Sequence, residues 1–532
     1  MKRFTISMLS LGLLAAVPLS AAAATYTVGP SGRQYTQLST LFRSVNLAPG
    51  DIVEVDGNAT YTGNIVVGDD DSGTAAAPVT IRWRRVAGAT RPILSGGTHT
   101  IKFEQSNHVV FEGFEVTGGT STCVFSEAHN VTVRDAYIHD CPSHGILGAD
   151  QNSGSFTLEY SEVARSGSGT SRHSIYMQTD EVTWPGAVFR MRYNYIHDAT
   201  GGVLMRTRSE RSEIYYNWFE NPMYGAIELI GPDCDTQKAG WTTNLKREDA
   251  DVVGNVIVAT NTWRNAIRAG GDLDGRSQGR VRLVNNTILF DRAGVANGLM
   301  VQLGVGSVEM HNNVLYQTAA NSAPALLREN PASEVGAPDV CEPQSREPWA
   351  AGRKVAGSNN WVQSGATLVP AELTGTIRGA DPMFTNIATR NLRPRAGSPL
   401  LARGNNSPVT PAAFPFPTPQ LLPAYDPPKR VKLAINDRHA RLVPNNRIAI
   451  GAFEQVDIDD APATNVMVNG AQPLVPGRAA PAAATTPTTT PTAQSAPAQP
   501  QASSPATPSS SSKRPASKKR GAATNPRNAA KP

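Results

Sequence analysis

The sequence predicts an all-β solenoid, a parallel β-helix with several strands in each coil, on two observations. The first is a recurring hexapeptide, apolar-x-x-Asn-x-apolar, at Met191 to Ile196, Ile214 to Phe219, Val252 to Ile257, Leu283 to Ile288 and Met310 to Leu315. It sets Asn194, Asn217, Asn255, Asn286 and Asn313 in one register, after three degenerate copies with Phe114, Ala136 and Ser161 at the Asn position. The steps of 22, 25, 33, 23, 38, 31 and 27 residues have the length of solenoid repeats. The second observation is the alternation between copies, as in Ser174-Ile175-Tyr176-Met177-Gln178-Thr179 and Gly202-Val203-Leu204-Met205-Arg206-Thr207. That period of two marks strand.

A leucine-rich repeat competes, because Phe189-x-Met191-x-x-Asn194-x-Ile196 also fits its core pattern. Composition decides against it: the linking residues alternate apolar and polar, with Gly, Thr and β-branched types. Unequal steps also suit a coil whose corners accept loops, since long surface insertions cost little closure entropy. Asn stacked at one corner can satisfy turn backbone groups and its neighbours in adjacent coils.

The remaining elements follow in chain order. Residues 1–24 join Lys2 and Arg3 to an apolar run from Phe4 to Leu19 and end in Ala22-Ala23-Ala24, the order of a signal peptide cleaved after Ala24. Thr5, Ser7, Ser10 and Pro18 interrupt the run, which argues against a membrane anchor. A secreted or periplasmic protein is expected, in which Cys123, Cys141, Cys234 and Cys341 can oxidise with a pairing the sequence leaves open. Leu38, Leu41, Phe42 and Val45 follow i, i+3, i+4, i+7, so a short amphipathic helix is expected to cap the open edge of the first coil. Residues 25–456 form the β-helix domain.

From 457 to 532 the chain becomes a Pro-, Ala-, Thr- and Ser-rich tail that cannot bury enough apolar surface to offset chain entropy and is expected to be disordered. Beyond residue 460 it has eight Lys or Arg and no Asp or Glu, which leaves residues 25–460 at a net charge of −5 out of a total of +5. The basic balance is therefore no sign of nucleic-acid binding. The tail is expected to touch anionic envelope polymers, and the folded body to be a monomer. His-Glu-x-x-His, Cys-x-x-Cys and phosphate-loop motifs are absent, so zinc protease, redox and nucleotide chemistry lack support.

The chain resembles the secreted right-handed parallel β-helix family of pectate-lyase and chondroitinase-B type. The resemblance rests on Tyr26-Thr27-Val28-Gly29-Pro30-Ser31-Gly32, Pro49-Gly50-Asp51-Ile52-Val53-Glu54-Val55 and Pro78-Val79-Thr80-Ile81 near the start. Asp381-Pro382-Met383-Phe384, Gly397-Ser398-Pro399 and Ile450-Gly451-Ala452-Phe453-Glu454 resemble the family's terminal coils and cap. These are scaffold motifs covering about 25–454 and identify no reaction. The resemblance implies a right-handed coil and a cleft-forming sheet whose outer face holds polysaccharide.

With the Asn corner as ruler, that sheet contains Ile175 to Gln178, Val203 to Arg206, Ile227 to Ile230 and Ile267 to Ala269. The outward set is Tyr176, Gln178, Leu204, Arg206, Glu228 and Arg268, with Arg208 and Thr179 at strand ends. Arg206 and Arg268 could bracket uronate or sulfate groups, and Tyr176 or the nearby His173 could transfer a proton. The alternative is an Arg206, Glu228, Arg268 salt-bridge ladder that solvates one face. An insertion behind Glu228 offers Asp233, Lys238, Trp241 and Lys246 as a cleft wall, with Trp241 available to stack on sugar. Asp272 and Asp274, in a Gly-rich turn, could hold Ca²⁺ or simply make the turn. His139 and His197 share another register and suit structural hydrogen bonds.

These residues predict an exported protein acting on acidic polysaccharide, first as a lyase working by β-elimination. Arg206 or Arg268 would neutralise the carboxylate, and Tyr176 or His173 would move the protons. Glycoside hydrolysis by Glu228 with Asp233 or Asp272 is the second reading, and a non-catalytic glycan-binding solenoid the third.

Overall fold

A computed structural model of the chain describes residues 23–231, 249–270, 279–302, 305–329, 354–409 and 420–457. The expected leader and tail therefore lie outside the described residues, apart from their innermost ends. So do Cys234 and Cys341. No helix among the described residues is long and apolar enough to cross a membrane.

The repeat folds as a parallel β-helix of three sheets. Among the described residues, one sheet has 13 strands, from Thr25–Val28 to Leu373–Thr374, a second has 12, from Thr60–Thr62 to Ile377–Gly379, and the third has 10, from Ile65–Val67 to Ala325–Glu329. A coil takes one strand from each, as in Val188–Arg192, Tyr195–His197 and Met205–Arg208. Inward residues such as Phe189, Met191, Ile196, Met205, Ile214 and Phe219 are fully buried in one continuous core.

The Asn residues lie at the corner between the 13- and 12-stranded sheets, where the register requires them. In each coil the preceding residue turns the chain in the left-handed region: Tyr193, Tyr216, Gly254, Asn285 and Asn312 have φ of 61°, 57°, 67°, 53° and 57°. The next side chain then points inward, and each amide bonds the adjacent coil. Asn217 donates from its backbone N and Nδ2 to Asn255 Oδ1 at 2.8 and 3.1 Å, and Asn255 does the same to Asn286 Oδ1 at 3.0 Å each. The ladder ends on a sixth residue, Asn360, which accepts from Asn313. Ser161 begins it by donating its N–H to Asn194 Oδ1 at 2.9 Å.

The cap helix is short, Leu38–Phe42, and buries Leu38, Leu41 and Phe42. Of the four cysteines, Cys123 and Cys141 form a disulfide 18 residues apart.

Residues 450–454 do not close the end of the solenoid as the resemblance implied. They lie along its flank, where Ile450, Ala452 and Phe453 pack on Trp218, Val256, Val258, Leu289 and Val314 of the 12-stranded sheet. The physical reason is visible in Val256–Ala259, whose residues are all apolar, so this strand is buried on both faces. The chain from 420 to 441 continues across the Asn corner. Ala424 donates to Tyr216 Oη at 3.1 Å, Arg430 pairs with Glu220 at 2.7 Å, and Lys432 pairs with Asp135.

Candidate functional site

The outer face of the 10-stranded sheet carries one ladder of outward side chains. Strand register aligns Lys102, Phe125, Leu147, Tyr176, Arg206, Glu228, Arg268, Met300 and Arg328 on successive coils, about 4.8 Å apart. Tyr176, Arg206, Glu228 and Arg268 are thus brought together as consecutive rungs. Leu204 is not among them. It precedes the strand Met205–Arg208 at the corner, escapes its alternation, and is buried in the core.

Glu228 sits between the two arginines, 3.4 Å from Arg206 Nη1 and 3.0 Å from Arg268 Nε. The side chains of Arg206, Glu228 and Arg268 are 14, 8 and 19% exposed, which makes this a recess. A solvated charge face looks different and is present elsewhere. On the 13-stranded sheet, Glu54, Arg82, Glu112, Arg134, Glu159 and Arg192 alternate one to one, and arginines 82, 134 and 192 are 41, 34 and 38% exposed. Recessed ion pairs lose hydration and hold their place only through close partners.

Tyr176 is the aromatic member of the cluster. Its ring lies under Arg206, 5.5 Å from the guanidinium carbon, and its hydroxyl accepts a hydrogen bond from Arg208 Nε at 2.9 Å. Arg208 is buried and also donates to the Gly231 carbonyl. Gln178 pairs with Arg208 across the strands and is 7% exposed; Thr179, also buried, accepts from Glu210 N through its hydroxyl.

His173 lies behind this face. It is 2% exposed, its Nδ1 accepts from Val203 N at 3.0 Å, and its ring meets Tyr176 edge-on at 5.5 Å. Burial, and then the Arg206 charge, lower its pKa to about 2. It stays neutral, with its ring against that of Tyr176. His144 accompanies it one coil earlier, buried, with Nδ1 accepting from His173 N at 3.1 Å and its pKa lowered to about 4 by burial and Arg172. Sequence reasoning missed His144, although His144-Gly145-Ile146 repeats in His173-Ser174-Ile175 and the register superposes Ile146 on Ile175.

These imidazoles give a signed pH dependence. The unfolded chain binds protons below about 6.5 that the folded protein refuses, so their contribution is full above that pH and declines as pH falls, toward about 4 for His144. The slope is about 1.4 kcal/mol per pH unit for each group. The fall in Tm between pH 7 and 4.5 should accordingly be shallower in His144→Asn than in the parent protein; equal slopes would show that His144 is not the titrating group.

Lys238, Trp241, Asp233, Lys246, Asp272 and Asp274 lie outside the described residues. Among the described residues no three His, Cys, Asp or Glu side chains converge as metal ligands. His139 and His197 stand two coils apart on the 12-stranded sheet, each between two carboxylates. His197 bonds Glu162 at 3.1 Å and Asp198 at 2.7 Å. Burial opposes its charge, yet these carboxylates outweigh it and raise the pKa. His139 repeats the arrangement with Glu115 and Asp140.

The family described as "Right handed beta helix region" matches residues 80–238. No curated protein matches the sequence. Among solved structures, the chain is similar to pectate lyase Pel9A at 14% identity, over 82% of this chain and 97% of that one, with a TM-score of 0.47. An alginate lyase from Paenibacillus sp. str. FPU-7 is similar at 16% identity over 57% and 98% of the two chains, TM-score 0.39. A lacto-N-biosidase from Eubacterium ramulus is similar at 12% identity over 63% and 67%, TM-score 0.38. None of these likenesses assigns a reaction to this chain. The strand register gives three parallel sheets, the family match gives the hand of the coil, and the protein is a right-handed parallel β-helix.

Proposed function

We propose that this chain is an exported lyase that cleaves an acidic, uronate-containing polysaccharide by β-elimination on the 10-stranded sheet. The observation that carries the reading is the recessed Arg206–Glu228–Arg268 row beside Tyr176, with the Tyr176 hydroxyl held by Arg208. A substrate carboxylate displaces Glu228 from one guanidinium, and that arginine then stabilises the charge that builds on the carboxylate as the neighbouring carbon loses its proton. Tyr176 supplies the proton-transfer oxygen. As phenolate it takes the proton; as phenol it returns one to the leaving glycosidic oxygen.

Hydrolysis by Glu228 is less well supported. Both of its oxygens face guanidiniums, which suits a counter-charge better than a proton-donating acid. Incubation with a panel of uronate polymers should release unsaturated, ultraviolet-absorbing ends. Reducing ends without that chromophore would establish hydrolysis instead, and retention of a polymer that is never cleaved would make the solenoid a binding module.

A further inference from the structure

We propose that the corner facing the returning C-terminal segment holds a second binding site, for an oxyanion group such as a carboxylate or sulfate. The site is a solvent-open cavity of about 380 Å³ lined by Arg85, Arg91, Asp135, Lys432, Ala434 and Ile435. Arg85 and Arg91 lie on the turn between the strands Val79–Arg84 and Ile93–Ser95, and Asp135 lies at the Asn corner between Val131–Arg134 and Tyr137–His139. The place is thus between the 13- and 12-stranded sheets, away from the Tyr176 ladder. The inference does not depend on the elimination reading.

Charge and geometry together point to an anion. Three cations line the cavity, against one lining carboxylate. Asp135, its side chain 3% exposed, accepts from Arg85 Nη2 and Arg91 Nη2 at 2.6 Å each and from Lys432. Arg85 also reaches Glu112 at 3.2 Å. The Arg85 and Arg91 guanidiniums rest over the Trp83 ring, 4.9 and 5.5 Å from its centroid, which presents them in fixed orientations. Burial lowers the Lys432 pKa even though Asp135 works to raise it, so this ammonium is poorly hydrated and would gain from a further oxyanion partner. An entering oxyanion would supply the missing counter-charge and accept from guanidinium forks suited to planar oxygens.

The same residues could simply lock the C-terminal segment to the coil, and one substitution separates the two roles. Ala434→Glu puts a carboxylate into the lining without removing any ion pair: either role leaves the Tm intact, but only a binding site has an anion to lose. The full chain would be titrated calorimetrically with sodium sulfate and with a short uronate oligomer at constant ionic strength, as parent protein, Ala434→Glu, Arg85→Gln and Arg206→Ala. Sulfate binding at this corner is expected in the parent protein, reduced about tenfold in Arg85→Gln by the loss of one charge-assisted contact, and lost in Ala434→Glu with its Tm intact, while any oligomer held on the Tyr176 ladder is retained there. Sulfate binding should survive in Arg206→Ala. Equal affinity for sulfate and oligomer would identify a free anion as the ligand, and a clear gain for the oligomer a glycan. Titrations unchanged by Ala434→Glu and Arg85→Gln, or an absence of binding to the parent protein, would overturn the proposal.

Discussion

Tyr176→Phe is expected to lower the rate of chain elimination by about 10²- to 10⁴-fold, the range that positioned acid–base groups contribute, while leaving the fold intact. The substitution keeps the ring on which Arg206 rests and removes only the hydroxyl that accepts from Arg208. The loss should fall on kcat, with KM little changed, because the hydroxyl acts on protons in flight and does not hold the ground-state carboxylate. His144→Asn, by contrast, should leave kcat within a few-fold, since that imidazole lies behind the face. Initial rates from the ultraviolet chromophore, together with Tm, check both. A Tyr176→Phe protein that retains parental kcat on a cleaved polymer would remove Tyr176 from the chemistry.

The second large effect concerns stability. Asn255 lies in the middle of the ladder, fully buried, accepts from the Asn217 backbone and amide, and donates to Ile214 O at 2.8 Å and Asn286 Oδ1 at 3.0 Å. Asn255→Leu keeps the branched shape and heavy-atom count but strands those partners in a dry corner. Each buried group left without a hydrogen bond costs about 1–3 kcal/mol, so a loss of about 3 kcal/mol or more is expected in denaturant unfolding. Asn255→Ser should cost less, because Ser161 already fills the equivalent corner and satisfies Ala136 N at 3.1 Å. Loss of less than about 1 kcal/mol in Asn255→Leu would mean that the ladder is not a major source of stability.

How much of this was legible depends on whether a contact recurs from coil to coil. The Asn register and the Tyr176, Arg206, Glu228, Arg268 face could be read because both repeat on a strand period. Asn360 went unread because it follows Asn313 by 47 residues, beyond the regular step. Leu204 was misplaced because alternation was extended past the start of its strand, into a corner. The flank cover was illegible for a different reason: Lys432 meets Asp135 across 297 residues, and no periodic signal links positions so far apart. The apolar character of Val256–Ala259 announced two buried faces, but not which segment would cover the outer one.

That returning segment bears on how the molecule comes apart. In a bare solenoid each coil touches only its neighbours, so stability is close to a sum of local terms and unravelling can start at either end and stop partway. Here residues 420–457 contact the coil of Asp135, the coil of Glu220 and the coil of Asn312 at once. Opening one of these coils therefore strains attachments at the others, and a one-dimensional stack acquires the all-or-none unfolding of a globular domain.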